Sequence, residues 1–269
     1  MLNKTLTILV FLSLPLLGQG KYFIPSFYYT YGSYTNSTNS NEYSSYLISG
    51  FGNYNFLVLG YDRIYLRNPL WNYKQDNFAT GLSLSFNKLK TKLDFLYING
   101  FYDDNFISKP LIDNGYLLSP EISYGVYPLY YGIGYALFIQ KGNNKIASNQ
   151  LYLRTDYYPH YKLLLSSLLS SHSISNRKEL ISLQVKVAYQ LYWNLFLRLS
   201  FTVGARALFY NPDLMVLFNQ LDTQTSFYST QIEYTLRNFF TATLSYQKTK
   251  FSEYKVDYFV FGLKKIITY

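Results

Sequence analysis

The sequence predicts an all-β chain: a transmembrane, antiparallel up-and-down β-barrel of about fourteen strands, with twelve or sixteen also compatible. Three observations predict it. Apolar and polar residues alternate with period two through most of the chain. Short and long links between the alternating segments take turns. The composition is rich in aromatics and poor in charge, with 32 Tyr and 21 Phe in 269 residues but only 14% charged residues.

The alternation is clearest from Ile181 to Arg237. Ile181, Leu183, Val185, Val187, Tyr189 and Leu191 share one face, opposed by Ser182, Gln184, Lys186, Ala188 and Gln190. Leu195, Leu197, Leu199, Phe201 and Val203 then oppose Arg198, Ser200, Thr202, Gly204 and Arg206. Tyr228, Ile232, Tyr234 and Leu236 oppose Ser229, Gln231, Glu233, Thr235 and Arg237. A helix would scatter these residues around its surface, whereas a strand sorts them to opposite faces.

The links separate a barrel from a sandwich. The short ones are Gly52 to Asn55, Phe86 to Lys88, Tyr127 to Tyr130, Tyr158 to Tyr161, Tyr192 to Leu195 and Arg237 to Phe239, nearly all with Asn or Pro among aromatics. Between them run longer polar links such as Thr35 to Glu42, Arg67 to Asp76, Tyr102 to Gly115 and Asn211 to Thr225. Tight turns with aromatics on one rim and long loops on the other are the barrel pattern. A sandwich has no reason to sort its links so.

The strands read in order as Tyr22–Tyr34, Tyr43–Phe51, Phe56–Leu66, Phe78–Phe86, Leu89–Phe101, Leu117–Tyr127, Tyr130–Gln140, Ala147–Tyr158, Lys162–Ser173, Leu180–Tyr192, Leu195–Phe209, Phe227–Leu236, Phe240–Lys250 and Lys255–Tyr269. An even count puts both chain ends at the short-turn, periplasmic rim. Ahead of them, Lys4, the apolar run Leu6 to Leu17 and Gly18-Gln19-Gly20 have the three-part layout of a secretory signal peptide over residues 1–20, leaving 21–269 as one barrel domain without an N-terminal plug. That apolar run is short of the roughly 20 residues a spanning helix needs.

With no Cys, a disulfide framework, a thiolate metal site and a lipoprotein anchor are excluded. The charge of +9 is spread over alternating segments instead of forming a run, so no nucleic-acid role is expected. The final segment places Phe259, Phe261, Leu263, Ile267 and Tyr269 on one face, ending in an aromatic. It resembles the C-terminal signal of Gram-negative outer-membrane proteins. That resemblance implies an integral outer-membrane location, contact with outer-membrane lipid and lipopolysaccharide, and recognition by the barrel-assembly machinery. Lys265 departs from the pattern, and is expected to snorkel at the rim.

Two segments break the alternation. Leu163 to Ser171 pairs its apolar residues, which a β-bulge midway would explain. Asn211 to Leu221 has near-helical apolar spacing after Pro212-Asp213, and is expected to be an ordinary outer loop, the alternative being a helical turn folded over or into the pore.

Catalytic chemistry is faint. The outer-membrane phospholipase and the lipid A deacylase resemble each other in a His-x-Ser-Asn stretch on a strand, where the His can activate the Ser. Here His172-Ser173-Ile174-Ser175-Asn176 is one residue too long, so Ser175 faces away from His172. His160 reads as a turn residue at the interface. Asp103-Asp104 reads as a solvated loop tip, or as one that binds a divalent cation between lipopolysaccharides. No cofactor and no metal site is implied.

The remaining chemistry is that of the lumen. Basic residues expected on the inner face are Lys90, Lys92, Arg154, Lys186, Arg198, Arg206, Arg237 and Lys264; acidic ones are Asp94, Glu121, Asp156 and Glu233. Lys92 with Asp94, and Arg154 with Asp156, are same-face neighbours that can pair. Gly125, Gly132, Gly134 and Gly204 are expected to thin the inner wall, and Tyr127, Tyr130 and Phe138 are candidates for stacking. The expectation is a passive channel for small polar or anionic solutes, since inward basic residues outnumber acidic ones. The alternatives are a closed structural or assembly barrel whose loops bind an envelope protein, a transporter gated by its long loops, and a lipid hydrolase centred on His172.

Overall fold

The computed structural model describes residues 22–52, 54–104, 110–142, 145–175, 179–218, 222–236 and 240–268. The strands are β1 Tyr22–Tyr34, β2 Asn39–Phe51, β3 Asn55–Arg67, β4 Trp71–Phe86, β5 Leu89–Asp104, β6 Leu111–Val126, β7 Leu129–Gly142, β8 Ile146–His160, β9 Leu163–Ile174, β10 Leu180–Tyr192, β11 Leu195–Arg206, β12 Phe209–Asn211, β13 Val216–Phe218, β14 Gln224–Leu236, β15 Phe240–Phe251, β16 Lys255–Lys264 and β17 Ile267–Thr268. β1 to β11 and β14 to β16 pair in chain order, each antiparallel to its neighbour. β1 pairs with β16 from Ser26↔Lys264 to Tyr34↔Val256 and so closes a barrel of 14 strands. β17 carries the last strand on past a break at Lys265 and Ile266, pairing Ile267 with Phe23 and Thr268 with Tyr22.

Closure follows from the alternation. Ile181 is 62% exposed on the outer face of β10, while its neighbours Ser182 and Gln184, on the inner face, are each 4% exposed. Leu93, Leu118, Ile133, Leu153, Phe201, Ile232, Leu244 and Phe261 extend the same exposed apolar surface around the barrel. A closed sheet leaves no unpaired edge, and with an apolar exterior it satisfies every backbone group in hydrocarbon. Such an exterior is stable only against lipid.

The strands run further toward the long-loop rim than the alternation suggests. Asn39–Glu42, Trp71–Asn77 and Leu111–Tyr116 belong to β2, β4 and β6, so most of the expected long links are ladder. Polar residues face both sides there because this part of the wall stands outside hydrocarbon. At its base, outward tyrosines donate to Asn or Asp on the neighbouring strand: Tyr29 to Asn41 at 2.7 Å, Tyr61 to Asp76 at 2.7 Å, Tyr97 to Asn114 at 2.6 Å and Tyr246 to Asp257 at 2.5 Å. The expected clustering of aromatics at the short turns is therefore only half of the arrangement; a second aromatic girdle lies on the long-loop side.

β9 has no bulge within Leu163–Ser171. It pairs with β10 without a shift from Leu163↔Tyr189 to His172↔Leu180. Its leucines occur on both faces because Leu165 and Leu169 face lipid while Leu168, 7% exposed, faces an interior that is itself filled.

Candidate functional site: the lumenal hairpin and its wall

The chain between β11 and β14 turns into the barrel. Leu208, just before β12, and Met215, at the turn, adopt left-handed backbone with φ of 47° and 53°, and β12 and β13 form a hairpin, Phe209↔Phe218 to Asn211↔Val216. Asn211 Oδ1 accepts from the Asp213 amide at 3.1 Å and closes the Pro212–Met215 turn. Over its described residues the expected outer loop is thus a lumenal hairpin, folded into the barrel as the alternative had it, and the near-helical spacing produces no helix among them.

Apolar packing draws the segment inward. Leu208, Tyr210, Met215 and Leu217 are each at most 4% exposed, packed in one cluster with Leu96, Ile98, Leu117, Phe138 and Ile174. Those wall residues face inward: Leu96 is paired with Leu117, and Phe138 with Leu117 on its other side. In a water-filled lumen they would be exposed. Burying a side chain of this size is worth roughly 1.5–3 kcal/mol, so the packing outweighs any one polar contact of the loop.

The polar contacts set its position. Tyr210 donates its hydroxyl to Asp94 Oδ2 at 2.5 Å, while Gln150 accepts from the Tyr210 amide at 2.8 Å and donates to its carbonyl at 3.0 Å. Burial, and then the Asp94 carboxylate, hold the Tyr210 phenol well above its ordinary value, so it serves as a donor at neutral pH. Lys92 donates to the Pro212 carbonyl. Asp213 receives Arg154 at 2.5 Å and also Lys186. Beyond the hairpin, the Arg206 guanidinium lies 3.6 Å from the Phe209 ring centre, and its Nε donates to Gln224 at 2.7 Å.

The charged candidates fall as follows. Lys90, Lys92, Arg154, Lys186, Arg198, Arg206, Lys264, Asp94, Glu121, Asp156 and Glu233 all lie on the inner face, opposite other inward residues: Lys92 pairs with Glu121 in register, Lys186 with Ser200 and Glu233 with Thr243. Arg237 and Tyr269 lie outside the described residues. Lys92 meets Asp94 at 2.7 Å. Arg154 does not pair with Asp156; it turns to Glu121 at 3.5 Å and to Asp213, since the loop offers a nearer carboxylate. Glu233 gathers Lys264 at 2.5 Å and Arg198 at 3.2 Å.

Sequence reading missed five inward acids: Glu42, Asp62, Asp104, Asp113 and Asp213. Glu42 and Asp62 share the inner face of β2 and β3, opposite Ile64 and Ser44. Glu42, Asp104 and Asp113 fall in stretches expected to be long links, whereas Asp62 lies in the expected strand Phe56–Leu66, where alternation alone puts it on the inner face. Asp213 carries no local signal of its position. With these five, nine inward acids face seven inward bases among the described residues. Toward the short turns Lys90, Lys92, Arg154, Arg198 and Lys264 outnumber Asp94, Glu121, Asp156 and Glu233, with Lys186 midway, whereas toward the long loops Glu42, Asp62, Asp104 and Asp113 outnumber Arg206. Of the glycines, Gly134 does not thin the wall, because the Tyr152 ring lies across it. Phe138 is fully buried in the hairpin's cluster, and Tyr127 and Tyr130 stay exposed near the short turns, each packed on Tyr158.

His172 is fully buried in the lumen, with Nε2 3.4 Å from Ser182 Oγ and its ring edge-on to Phe209. Ser175 is not brought to it; its hydroxyl donates to the Ala147 carbonyl at 2.8 Å. Asn176 lies outside the described residues. His160 is exposed at the short-turn end of β8, and Asp103 and Asp104 continue β5 opposite Asn72 and Trp71. Phe259, Phe261 and Leu263 face lipid, and Lys265 lies over the Phe240 ring at 5.4 Å.

No protein-family model matches the chain, and neither does any curated protein. Among solved structures, the CymD monoaromatic hydrocarbon channel superposes with a TM-score of 0.61 at 8% identity, over 94% of this chain and 90% of that one. The toluene transporter TodX of P. putida superposes with a TM-score of 0.57 at 7% identity, over 93% and 91%. At such identities the likeness is one of fold. Fold and lumen together define the class: an integral outer-membrane β-barrel of porin-like architecture.

Proposed function

We propose that the protein is a passive outer-membrane channel for small polar or anionic solutes, narrowed by the hairpin of β12 and β13. One observation carries this reading: among the described residues, the hairpin's hydrogen bonds and ion pairs to the wall are confined to one side of the barrel. Its polar contacts go to β5, β8 and β10. The opposite wall of β1, β14, β15 and β16 presents Ser26, Tyr28, Thr30, Ser229, Gln231, Thr241, Thr243 and Ser245 inward. A barrel of fourteen strands is wider than the eight-stranded ones that side chains alone fill. Among the described residues, the hydroxyls of Ser83, Thr202 and Ser245 and Oε1 of Gln184 have no hydrogen-bond partner. Buried polar atoms of this kind are met by water or solute. The basic residues toward the short turns favour anions through direct electrostatics. CymD, a monoaromatic hydrocarbon channel, and TodX, a toluene transporter, agree with transport as the general role.

Single-channel conductance across a salt gradient tests the proposal. Stable openings with an anion-directed reversal potential are expected, and a folded barrel that never conducts, even with the hairpin excised, would remove it.

A further inference from the structure

The hairpin presents Asp213 at its turn, and the wall receives that carboxylate with two cations. Arg154 Nη1 stands 2.5 Å from Oδ1, and Lys186 binds Oδ2. Elsewhere in the cluster the wall balances its own charges, Lys92 with Asp94 and Arg154 with Glu121. Lys186 is different. Among the described residues its carboxylate within ion-pair distance comes from the loop, with Asp156 acting on it only at longer range. The Lys186 and Arg154 side chains are 15% and 17% exposed, so an uncompensated charge there is costly. The wall by itself is therefore one carboxylate short.

What fills the shortfall has a recognisable chemistry. Behind Asp213 the hairpin lays Tyr210 and Met215 against Leu96, Ile98, Leu117 and Phe138. The occupant of this half of the lumen is a carboxylate joined to an apolar, partly aromatic body. We propose that Arg154 and Lys186 form a carboxylate-binding site that Asp213 occupies while the hairpin is docked, and that a small apolar carboxylate of the aromatic-acid type takes when the hairpin withdraws. The proposal rests on the channel reading and names its solute class. Asp213 is then an internal competitor, and solute and hairpin exclude each other at the same two cations. A site that is free in only a fraction of molecules binds more weakly by that fraction.

The test uses the full folded chain in detergent, with benzoate as the probe and toluene as its uncharged counterpart, followed by calorimetry. Asp213→Asn frees both cations while the apolar packing of the hairpin still opposes entry, so benzoate is expected to bind more tightly than to wild type, up to the roughly tenfold gain that full removal of a competitor present in roughly nine molecules in ten would give. Toluene is expected to show no comparable gain. Adding Arg154→Gln and Lys186→Gln to Asp213→Asn should abolish the gain. Lys186→Gln alone loosens the hairpin but removes half the site, so it should give no gain, which keeps the test decisive if Asp213→Asn folds poorly. No change in benzoate affinity for Asp213→Asn, an equal gain for toluene, or an equal gain in Lys186→Gln would each overturn the site. Conductance of the same variants is read separately. Tighter benzoate binding without conductance would keep the site and remove the channel; conductance without the benzoate gain would do the reverse.

Discussion

Tyrosine does two different jobs in this wall, and glycine separates them. Outward tyrosines mark the interface with the lipid headgroups. Inward ones lie across a glycine on the neighbouring strand: Tyr22 over Gly50, Tyr46 over Gly60, Tyr152 over Gly134 and Tyr258 over Gly32, each a register partner. A Cβ on Gly134 would stand 2.2 Å from Tyr152 Cζ, and the ring cannot swing freely because its hydroxyl donates to Glu121 at 3.0 Å. Gly134→Ala is therefore expected to cost about 1–3 kcal/mol as overpacking, read as a lower urea midpoint in lipid vesicles. An unchanged midpoint would contradict the close approach. Tyr210→Phe probes the other contact of this kind. It leaves Asp94 with Lys92 but without its 2.5 Å donor, so hairpin docking should weaken by about 1–3 kcal/mol. More frequent or larger openings in bilayer recordings are the expected sign, with little change in resistance of the barrel itself to unfolding.

At the scale of elements, each strand carries an apolar band and a polar extension, and the two differ in what they tolerate. Leu244 on β15 is 52% exposed toward lipid. Leu244→Arg should cost roughly 2–4 kcal/mol if its level is near the bilayer midplane. Tyr97→Phe, which removes one 2.6 Å bond to Asn114 at the interface, should cost less than about 1.5 kcal/mol. Urea titration of both variants in the same vesicles orders them, and the reverse order would misplace the band. The bands were legible in the sequence because lipid demands strict alternation. The extensions were not, since Asn39–Glu42 and Asn72–Asp76 are polar on both faces and resemble loop until their partners are known. β9 misled for the complementary reason. Leu168 is apolar and inward, which a rule written for a wet lumen reads as a register change.

For the whole molecule, the hairpin decides how much of the lumen remains. Replacing 209–217 by a short Gly/Ser link should enlarge conductance several-fold while the barrel still closes, because the β1–β16 seam makes no use of those residues. Arg198→Glu adds a carboxylate beside Glu233 and removes one of its two cationic partners. It should lower the anion-to-cation permeability ratio by roughly twofold or more, read as a shift in reversal potential under a salt gradient. No shift would mean that solutes pass the hairpin on another side.

The sequence by itself determined the fold class, the order and orientation of the strands, and the faces on which Lys92, Arg154, Lys186, Arg198 and Glu233 lie. All of these follow from a period of two residues, which is a local property enforced by lipid on one side and polarity on the other. It did not determine what the lumen contains. That Asp213 meets Arg154 and Lys186, that Tyr210 meets Asp94, and that Leu96, Ile98, Leu117 and Phe138 are covered instead of wet are pairings between segments far apart in the chain. They come into being only when the sheet closes and gives the segment after β11 an apolar wall to fold against. The hairpin enters because burying its apolar residues inside the barrel is worth more than leaving them in water, and no local pattern records that comparison.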